Sequence, residues 1–349
     1  MAITLTTLAD LAALGFDDII DVRAPAEFAE DHLPGAISLP VLDDDERARV
    51  GTVYKQVSTF TARKMGAALV ARNAAAHLEG ALADKPGGWR PLVYCWRGGQ
   101  RSGSFATILA QIGWRVETVA GGYKAWRSLV VKAVYDTPFP APVVMLDGNT
   151  GSAKTEVLNL LPGLGVQVID LEGLARHRGS LFGAVGAQPS QKAFEAGLAM
   201  AIAALDPLRP VVIEAESSRV GERRLPPEIW KAMVAAPRVA IVAPLAARAQ
   251  YLTRAYADMT ADVARLAATV ELLRPLHTAE VIEGWLAMAA AGDFATLAEG
   301  LMARHYDPRY EKHRARMAAG AVEVAGADLS AAALPELAAQ VAAAVRGLR

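Results

Sequence analysis

The chain has 349 residues, 53% of them hydrophobic, and a formal net charge of -1, enough to fill the cores of two domains of ordinary size. The charge excludes a globally basic nucleic-acid binder, so any RNA contact must come from a local basic patch. One cysteine excludes an internal disulfide framework and a cysteine-rich zinc site, and fits a reducing compartment.

The opening run MAITLTTLADLAALG has no basic n-region, and no apolar run reaches transmembrane length. The expectation is a cytoplasmic protein without membrane association. Short apolar runs at 18–22, 91–94 and 115–119 alternate with helical stretches such as 63–78, which predicts a first α/β domain over 1–135. A Pro-rich stretch at 136–142 reads as a linker. Apolar runs at 143–146, 166–169, 211–213 and 239–242, separated by Ala-rich helical segments, predict a second α/β domain over 143–245. Both sheets should be largely parallel. From about Ala246 strands vanish and the pattern is helical to 349, packed with the second domain and ending in a segment that puts Leu334, Leu337, Val341, Val345 and Leu348 on one face.

Cys95 opens the run CWRGGQRS directly after an apolar strand, and an amphipathic segment with Phe105, Ile108, Leu109 and Ile112 follows. A Gly-rich loop at a helix N-terminus wraps backbone N–H groups around the sulfur and favours a thiolate, a nucleophile and sulfur carrier. Arg97 and Arg101 would add positive charge for an anionic substrate. Asp21 and Arg23 read as a buried ion pair that fixes the chain near this loop. Arg101 stands six residues after the cysteine, a spacing that makes a wide bowl suited to a tetrahedral oxyanion. The same C-x5-R spacing serves Cys-dependent phosphatases, so phosphatase chemistry competes here, although no Asp stands beside the loop as a general acid.

In the second domain Gly148, Asn149, Thr150, Gly151, Ser152, Ala153, Lys154 and Thr155 match the phosphate-binding pattern G-x-x-x-x-G-K-[ST] at every position except Ala153. Loop N–H groups and the Lys154 ammonium would cradle a diphosphate, and the Thr155 hydroxyl could ligate Mg2+. The Ala153 methyl stands where the backbone must approach phosphate, which weakens the case for tight nucleotide binding and leaves the anion site. Glu214, Glu216 and Asp170, at the ends of apolar runs, are candidates for metal binding or acid/base work in the same crevice. Arg219, Arg223 and Arg224, and Tyr306, Arg309 and Tyr310 within the segment 305–314, interleave basic charge with aromatics. Arginine fixes phosphates and tyrosine stacks an unpaired base, so these are candidates for RNA binding.

The strings at 21–28 (DVRAPAEF), 32–40 (HLPGAISLP) and 121–126 (GGYKAW), spaced around the cysteine loop, resemble rhodanese domains, in which the loop cysteine carries sulfur as a persulfide. The phosphate-loop region resembles P-loop NTPase-like folds. The runs 177–183 (HRGSLFG), 188–195 (QPSQKAFE) and 214–217 (EAES) with Gly221 are similar to the bacterial tRNA 2-selenouridine synthase family over nearly the whole chain. The resemblance implies an α/β architecture of a rhodanese-like domain, a P-loop-containing parallel α/β domain and a helical C-terminal part. It further implies a transferase acting on the wobble 2-thiouridine of tRNA, first by S-geranylation from geranyl diphosphate and then by replacement of the S-geranyl group with selenium from selenophosphate. Cys95 takes the selenium-carrying role, with Arg97 and Arg101 beside it, and no tightly bound cofactor is implied. A sulfurtransferase with an attached NTPase domain and a phosphatase fused to a kinase-like domain are the alternatives.

Overall fold

The computed structural model describes residues 1–183, 186–314 and 320–348. Contacts divide it into two units, Met1–Thr137 with Pro189–Ala204, and Pro138–Gln188 with Leu205–Arg349.

The first unit is built on β1 (Ala2–Ile3), β2 (Asp18–Asp21), β3 (Ala36–Ser38), β4 (Pro91–Tyr94) and β5 (Glu117–Val119), all parallel, in the order β1-β5-β4-β2-β3. The central strand β4 is buried at every position. This explains why Pro91-Leu-Val-Tyr reads as a continuous apolar run and not as an alternation, with Pro91 tolerated as the strand's first residue. The helix Gln100–Ile112 follows the cysteine loop and buries Phe105 and Leu109 against the sheet.

Asp21 and Arg23 form the expected buried pair. Arg23 Nη2 lies 2.6 Å from Asp21 Oδ2, Nε reaches both carboxylate oxygens, and the side chains are 1% and 0% exposed. Tyr94 Oη donates to the same carboxylate at 2.7 Å, and Arg23 Nη2 also donates to the Asp31 carbonyl at 2.6 Å. The Arg23 guanidinium stacks 4.0 Å from the Tyr123 ring centroid. Every polar atom that burial strips of water is thereby given a partner.

Residues 189–204 lie within the span expected for the second domain, yet they group with the first unit. The helix Gln191–Ala203 carries Glu195, which is buried, is paired with Arg127, and accepts from Tyr135 Oη at 2.6 Å. A buried carboxylate goes where its cation is.

The second unit contains β6 (Val143–Gly148), β7 (Gln167–Ile169), β8 (Val211–Glu214), a two-stranded antiparallel hairpin of β9 (Arg219–Val220) and β10 (Arg223–Arg224), then β11 (Arg238–Val242) and β12 (Ala321–Ala325). The main sheet is parallel, in the order β12-β11-β6-β8-β7. β12 corrects the expectation that strands vanish after Ala246. It is a five-residue edge strand with one buried position, too short and too exposed to stand out against an Ala-rich background. Below the sheet, the helices Lys154–Leu160 and Leu334–Gly347 bury Val157, Leu158, Leu337, Val341 and Val345 together, as the terminal amphipathic face predicts. A separate apolar cluster joins the helices Val263–Glu271, Ala279–Ala291 and Phe294–Leu301 through Leu266, Ile282, Trp285 and Leu297. Arg248 ties this helical part to the phosphate loop, donating to Asp307 at 2.7 and 3.0 Å and to the Thr150 carbonyl at 3.1 Å. No helix among the described residues is long and apolar enough to cross a membrane.

Arg23→Ala leaves Asp21 buried and without its cation, which costs about 3–5 kcal/mol. Four of the six tryptophans, Trp89, Trp96, Trp114 and Trp126, lie in the first unit, so urea unfolding followed by tryptophan fluorescence should show an early transition of that unit. An unchanged midpoint would contradict the assignment of the pair as its anchor.

Candidate functional site

Each unit presents one chemically distinctive site. In the first, Cys95 follows β4 and is buried, with Gly99 as the N-cap of the helix behind it. Burial raises the thiol pKa, but the Ser102 hydroxyl 3.2 Å from Sγ, the backbone N–H of Ser102, the charge of Arg101 and the Gly99 N–H outweigh it and bring the thiol below its ordinary value. The loop is pinned from the other side by the turn at 121–124. Tyr123 N donates to the Cys95 carbonyl at 2.8 Å and Lys124 N to the Trp96 carbonyl at 3.0 Å. Gly122 has φ +57, and a Cβ there would lie 2.2 Å from the Cys95 carbonyl oxygen, so only glycine allows this approach.

The arginines depart from the open, doubly flanked bowl expected from spacing. Arg101 Nη1 donates to Glu27 Oε2 at 2.8 Å, and this partner, opposing the effect of burial, holds the Glu27 carboxyl below its usual range. Arg97 is exposed and makes no hydrogen bond or ion pair among the described residues. Ser102, to which motif spacing assigns no role, is the nearest polar partner of the sulfur. Its signal in the sequence is its place in the first turn of the helix behind the loop.

In the second unit the phosphate loop joins β6 to the helix Lys154–Leu160. Lys154 Nζ donates to the carbonyls of Gly148 at 2.8 Å and Asn149 at 3.3 Å, folding the ammonium over the loop. Ala153 takes a left-handed conformation, φ 60 and ψ 26, at a cost of roughly 1–2 kcal/mol for a residue with a Cβ. Its methyl joins the apolar cluster of Val157 and Tyr251, and that burial offsets the strain. Ala153 thus replaces the glycine through core packing.

The acidic candidates separate. Asp170 caps the helix Leu171–Ala175, accepting from Gly173 N at 2.7 Å. Glu214, buried at the end of β8, accepts from the backbone N–H of Glu172 at 2.7 Å, and its pKa is pushed well above the ordinary range by burial and then by Glu172. Only Glu216 of the three faces the cleft above the phosphate loop, which has a volume of about 750 Å3 and is also lined by Lys154, Thr155, Glu172, Arg309 and Tyr310. Glu172, two residues beyond the strand-end Asp170, is a site residue that no motif singles out. Its Oε2 accepts from Thr155 Oγ1 at 2.8 Å and it is hydrogen-bonded to Glu216. Among the described residues no group of three or more His, Cys, Asp or Glu side chains is placed to hold a metal ion. Thr155 and Glu172 are nonetheless adjacent hard oxygen donors of the kind Mg2+ takes alongside phosphate oxygens.

The RNA candidates fall in two places. Tyr306, Arg309 and Tyr310 stand on the wall of the phosphate-loop cleft, and Lys154 Nζ lies 5.8 Å from the Tyr310 ring centroid. Arg219 and Arg223 line a polar hollow of about 720 Å3 together with His177 and Gln188, and Arg224 is exposed on β10. The side chains of Lys312, His313 and Arg314 lie outside the described residues.

Glu216 is pushed up to about 8 by burial and then by the charge of Glu172, against the pull of Lys154. A carboxyl whose folded pKa lies above its unfolded value near 4.5 contributes stability that is complete below about 4.5 and lost as pH rises through about 8. Thermal melts of the ligand-free protein should therefore fall as pH rises from about 5 to about 8 and level off above it, and Glu216→Gln should flatten that fall. An equally steep fall in the variant would place the titration elsewhere.

Residues 4–129 match the model of the rhodanese-like domain, and residues 141–274 match that of the tRNA 2-selenouridine synthase AAA domain. Three curated relatives are named tRNA 2-selenouridine synthase. The protein of Chromohalobacter salexigens is 38% identical over 265 residues, 73% of this chain and 69% of its own length. That of Aeromonas salmonicida is 38% identical over 258 residues, 72% and 68%. That of Hahella chejuensis is 37% identical over 256 residues, 68% and 63%, so the matched region spans about two thirds of the length of these relatives. With a phosphate loop and a cysteine loop each seated at the end of a central parallel strand, and with relatives of one name across both, the chain belongs to the tRNA 2-selenouridine synthase family.

Proposed function

We propose that this chain converts the wobble 2-thiouridine of tRNA into 2-selenouridine in two transfers, S-geranylation from geranyl diphosphate and then exchange of the S-geranyl group for selenium supplied as selenophosphate. The observation that carries the reading is the pairing of a diphosphate cradle at Lys154, set in a cleft walled by tyrosines and protonatable carboxyls, with a thiol elsewhere in the chain held below its ordinary pKa.

In the first transfer the thiocarbonyl sulfur of the base attacks C1 of the geranyl group, the C–O bond to diphosphate breaks, and the base loses its N3 proton as the C2–N3 double bond forms. Gly148 through Thr155 hold the leaving diphosphate through backbone N–H groups and the Lys154 ammonium. Thr155 and Glu172 would hold Mg2+, which would supply charge neutralisation for the leaving diphosphate. Glu216, once deprotonated, is the group in the cleft suited to take the N3 proton, and Tyr306 or Tyr310 offers a face for the base, with Arg309 for a neighbouring phosphate. In the second transfer the Cys95 thiolate adds at C2 and geranylthiol leaves with a proton, a better departure than sulfide; the selenium of selenophosphate then adds at C2 and releases the Cys95 thiolate, and water takes the phosphoryl group from selenium as phosphate, leaving the selenocarbonyl with its N3 proton. Cys95 is the nucleophile of this transfer, with Arg101 the near cation and Arg97 free to meet an anionic selenium donor or the RNA backbone. Arg219, Arg223 and Arg224 supply further phosphate contacts.

Two substitutions should split the activity. Cys95→Ala should abolish formation of 2-selenouridine and leave S-geranyl-2-thiouridine forming at its normal rate, because alkylation of the nucleoside sulfur needs no protein thiol. Nucleoside mass analysis of the tRNA product decides it, and continued selenation would remove Cys95 from the mechanism.

Lys154→Ala should cost about 10²–10³-fold in geranyl transfer while pre-formed S-geranyl tRNA is still converted to the seleno product. Loss of that second conversion, or a requirement of the wild-type geranylation for ATP hydrolysis, would reassign the loop.

A further inference from the structure

The cleft above the phosphate loop opens on one side into a slim hollow within the helical part of the second unit. Thr150, Ser180, Leu252, Tyr256 and Tyr306 border both spaces. The deeper wall of the hollow is made by Phe182, Met259, Leu266, Phe294, Leu297 and Leu301, and no charged side chain among the described residues lines it. Thr150, Ser180, Tyr256 and Tyr306 bring hydroxyls to its mouth, and those of Ser180 and Tyr256 are hydrogen-bonded to each other at 3.2 Å. An apolar hollow of this kind holds hydrocarbon in preference to water.

Its size selects the hydrocarbon. The hollow measures about 80 Å3 and the cleft about 750 Å3. At about 10–15 Å3 for each water-sized sphere, the hollow takes roughly five to eight such spheres in file, the bulk of one to two isoprene units. An anion cradle at one end and a small, half-open, uncharged hollow at the other suit an amphiphile with a diphosphate head and a short apolar tail.

We propose that this hollow is the isoprenyl subsite and sets the chain length of the transferred group, with Phe294, Leu297 and Ala298 on the helix Phe294–Leu301 as its ruler. The inference rests on the reading of the phosphate loop as a prenyl diphosphate cradle. The first isoprene unit lies at the mouth between Tyr256 and Tyr306, with C1 kept in the cleft where the base arrives, and the second fills the channel against Leu266 and Leu297.

Two variants test the proposal. Ala298→Phe places a ring in existing empty space, and Phe294→Ala lengthens the hollow by removing a half-buried ring. With the full chain, 2-thiouridine tRNA and either geranyl or farnesyl diphosphate, Ala298→Phe should lower kcat/KM for geranyl transfer at least 30-fold. Its affinity for inorganic pyrophosphate, read by calorimetry, should stay within threefold of wild type. Phe294→Ala should raise the ratio of farnesyl to geranyl transfer at least tenfold. If wild type transfers geranyl and both variants keep its rates and its preference, the hollow is a packing space and the proposal falls while the cradle stands. If wild type transfers no prenyl group at all, the cradle reading fails and the subsite fails with it. Should Ala298→Phe lose pyrophosphate affinity as well, the farnesyl-to-geranyl ratio of Phe294→Ala decides alone: a tenfold rise upholds the subsite and an unchanged ratio overturns it.

Discussion

A parallel strand ends with its chain directed toward one edge of the sheet, and the chain must then turn and run back as a helix. At that turn the backbone N–H groups of the new helix have no partners of their own. Both candidate sites are consequences of this constraint. Cys95 stands directly beyond β4, the middle strand of one sheet, and the phosphate loop continues β6, the middle strand of the other. In each case the strand is buried, the loop is rich in glycine, and the free N–H groups face whatever anion arrives: a thiolate built into the chain in the first unit, and a diphosphate brought from outside in the second.

The two sites then treat charge in opposite ways. Around Cys95 the donors outweigh burial and favour the anion. Around Thr155, three glutamates crowd into a poorly solvated corner, where burial raises the pKa of each and the charge of Glu172 adds to the rise at Glu214 and Glu216. A carboxyl poised near neutrality is able to exchange a proton with a substrate. The first site is therefore suited to holding a nucleophile and the second to neutralising a leaving group.

What is legible in the sequence is local. A buried strand followed by glycines and a reactive side chain leaves a mark within about ten residues, and both loops, the strands beside them and the terminal amphipathic helix are readable in that way. What is not legible depends on residues far apart in the chain. Glu27 stands 74 residues from the arginine it binds, and Glu195 stands 68 from Arg127, so neither spacing nor composition connects them. Spacing alone consequently makes Arg101 a free charge, and it groups the helix Gln191–Ala203 with its neighbours in sequence and not with its partner in space. The apolar hollow is hidden for the same reason, since residues from Thr150 to Tyr306 contribute to it and each taken alone is an ordinary core residue.

β12 sets the order in which the second unit can be finished as the chain leaves the ribosome. β11 ends at Val242 and its edge partner β12 begins at Ala321, so about 80 residues must be synthesised before the sheet closes. At roughly 5–20 residues per second the edge of β11 stays open for on the order of 4–16 s. During that time β11 has β6 on its inner side and an outer edge with no strand beside it, while the helical segment from Leu245 to Arg314 is being made. The long insertion between two adjacent strands thus leaves one edge of the sheet waiting for a partner that is among the last parts of the chain to be made.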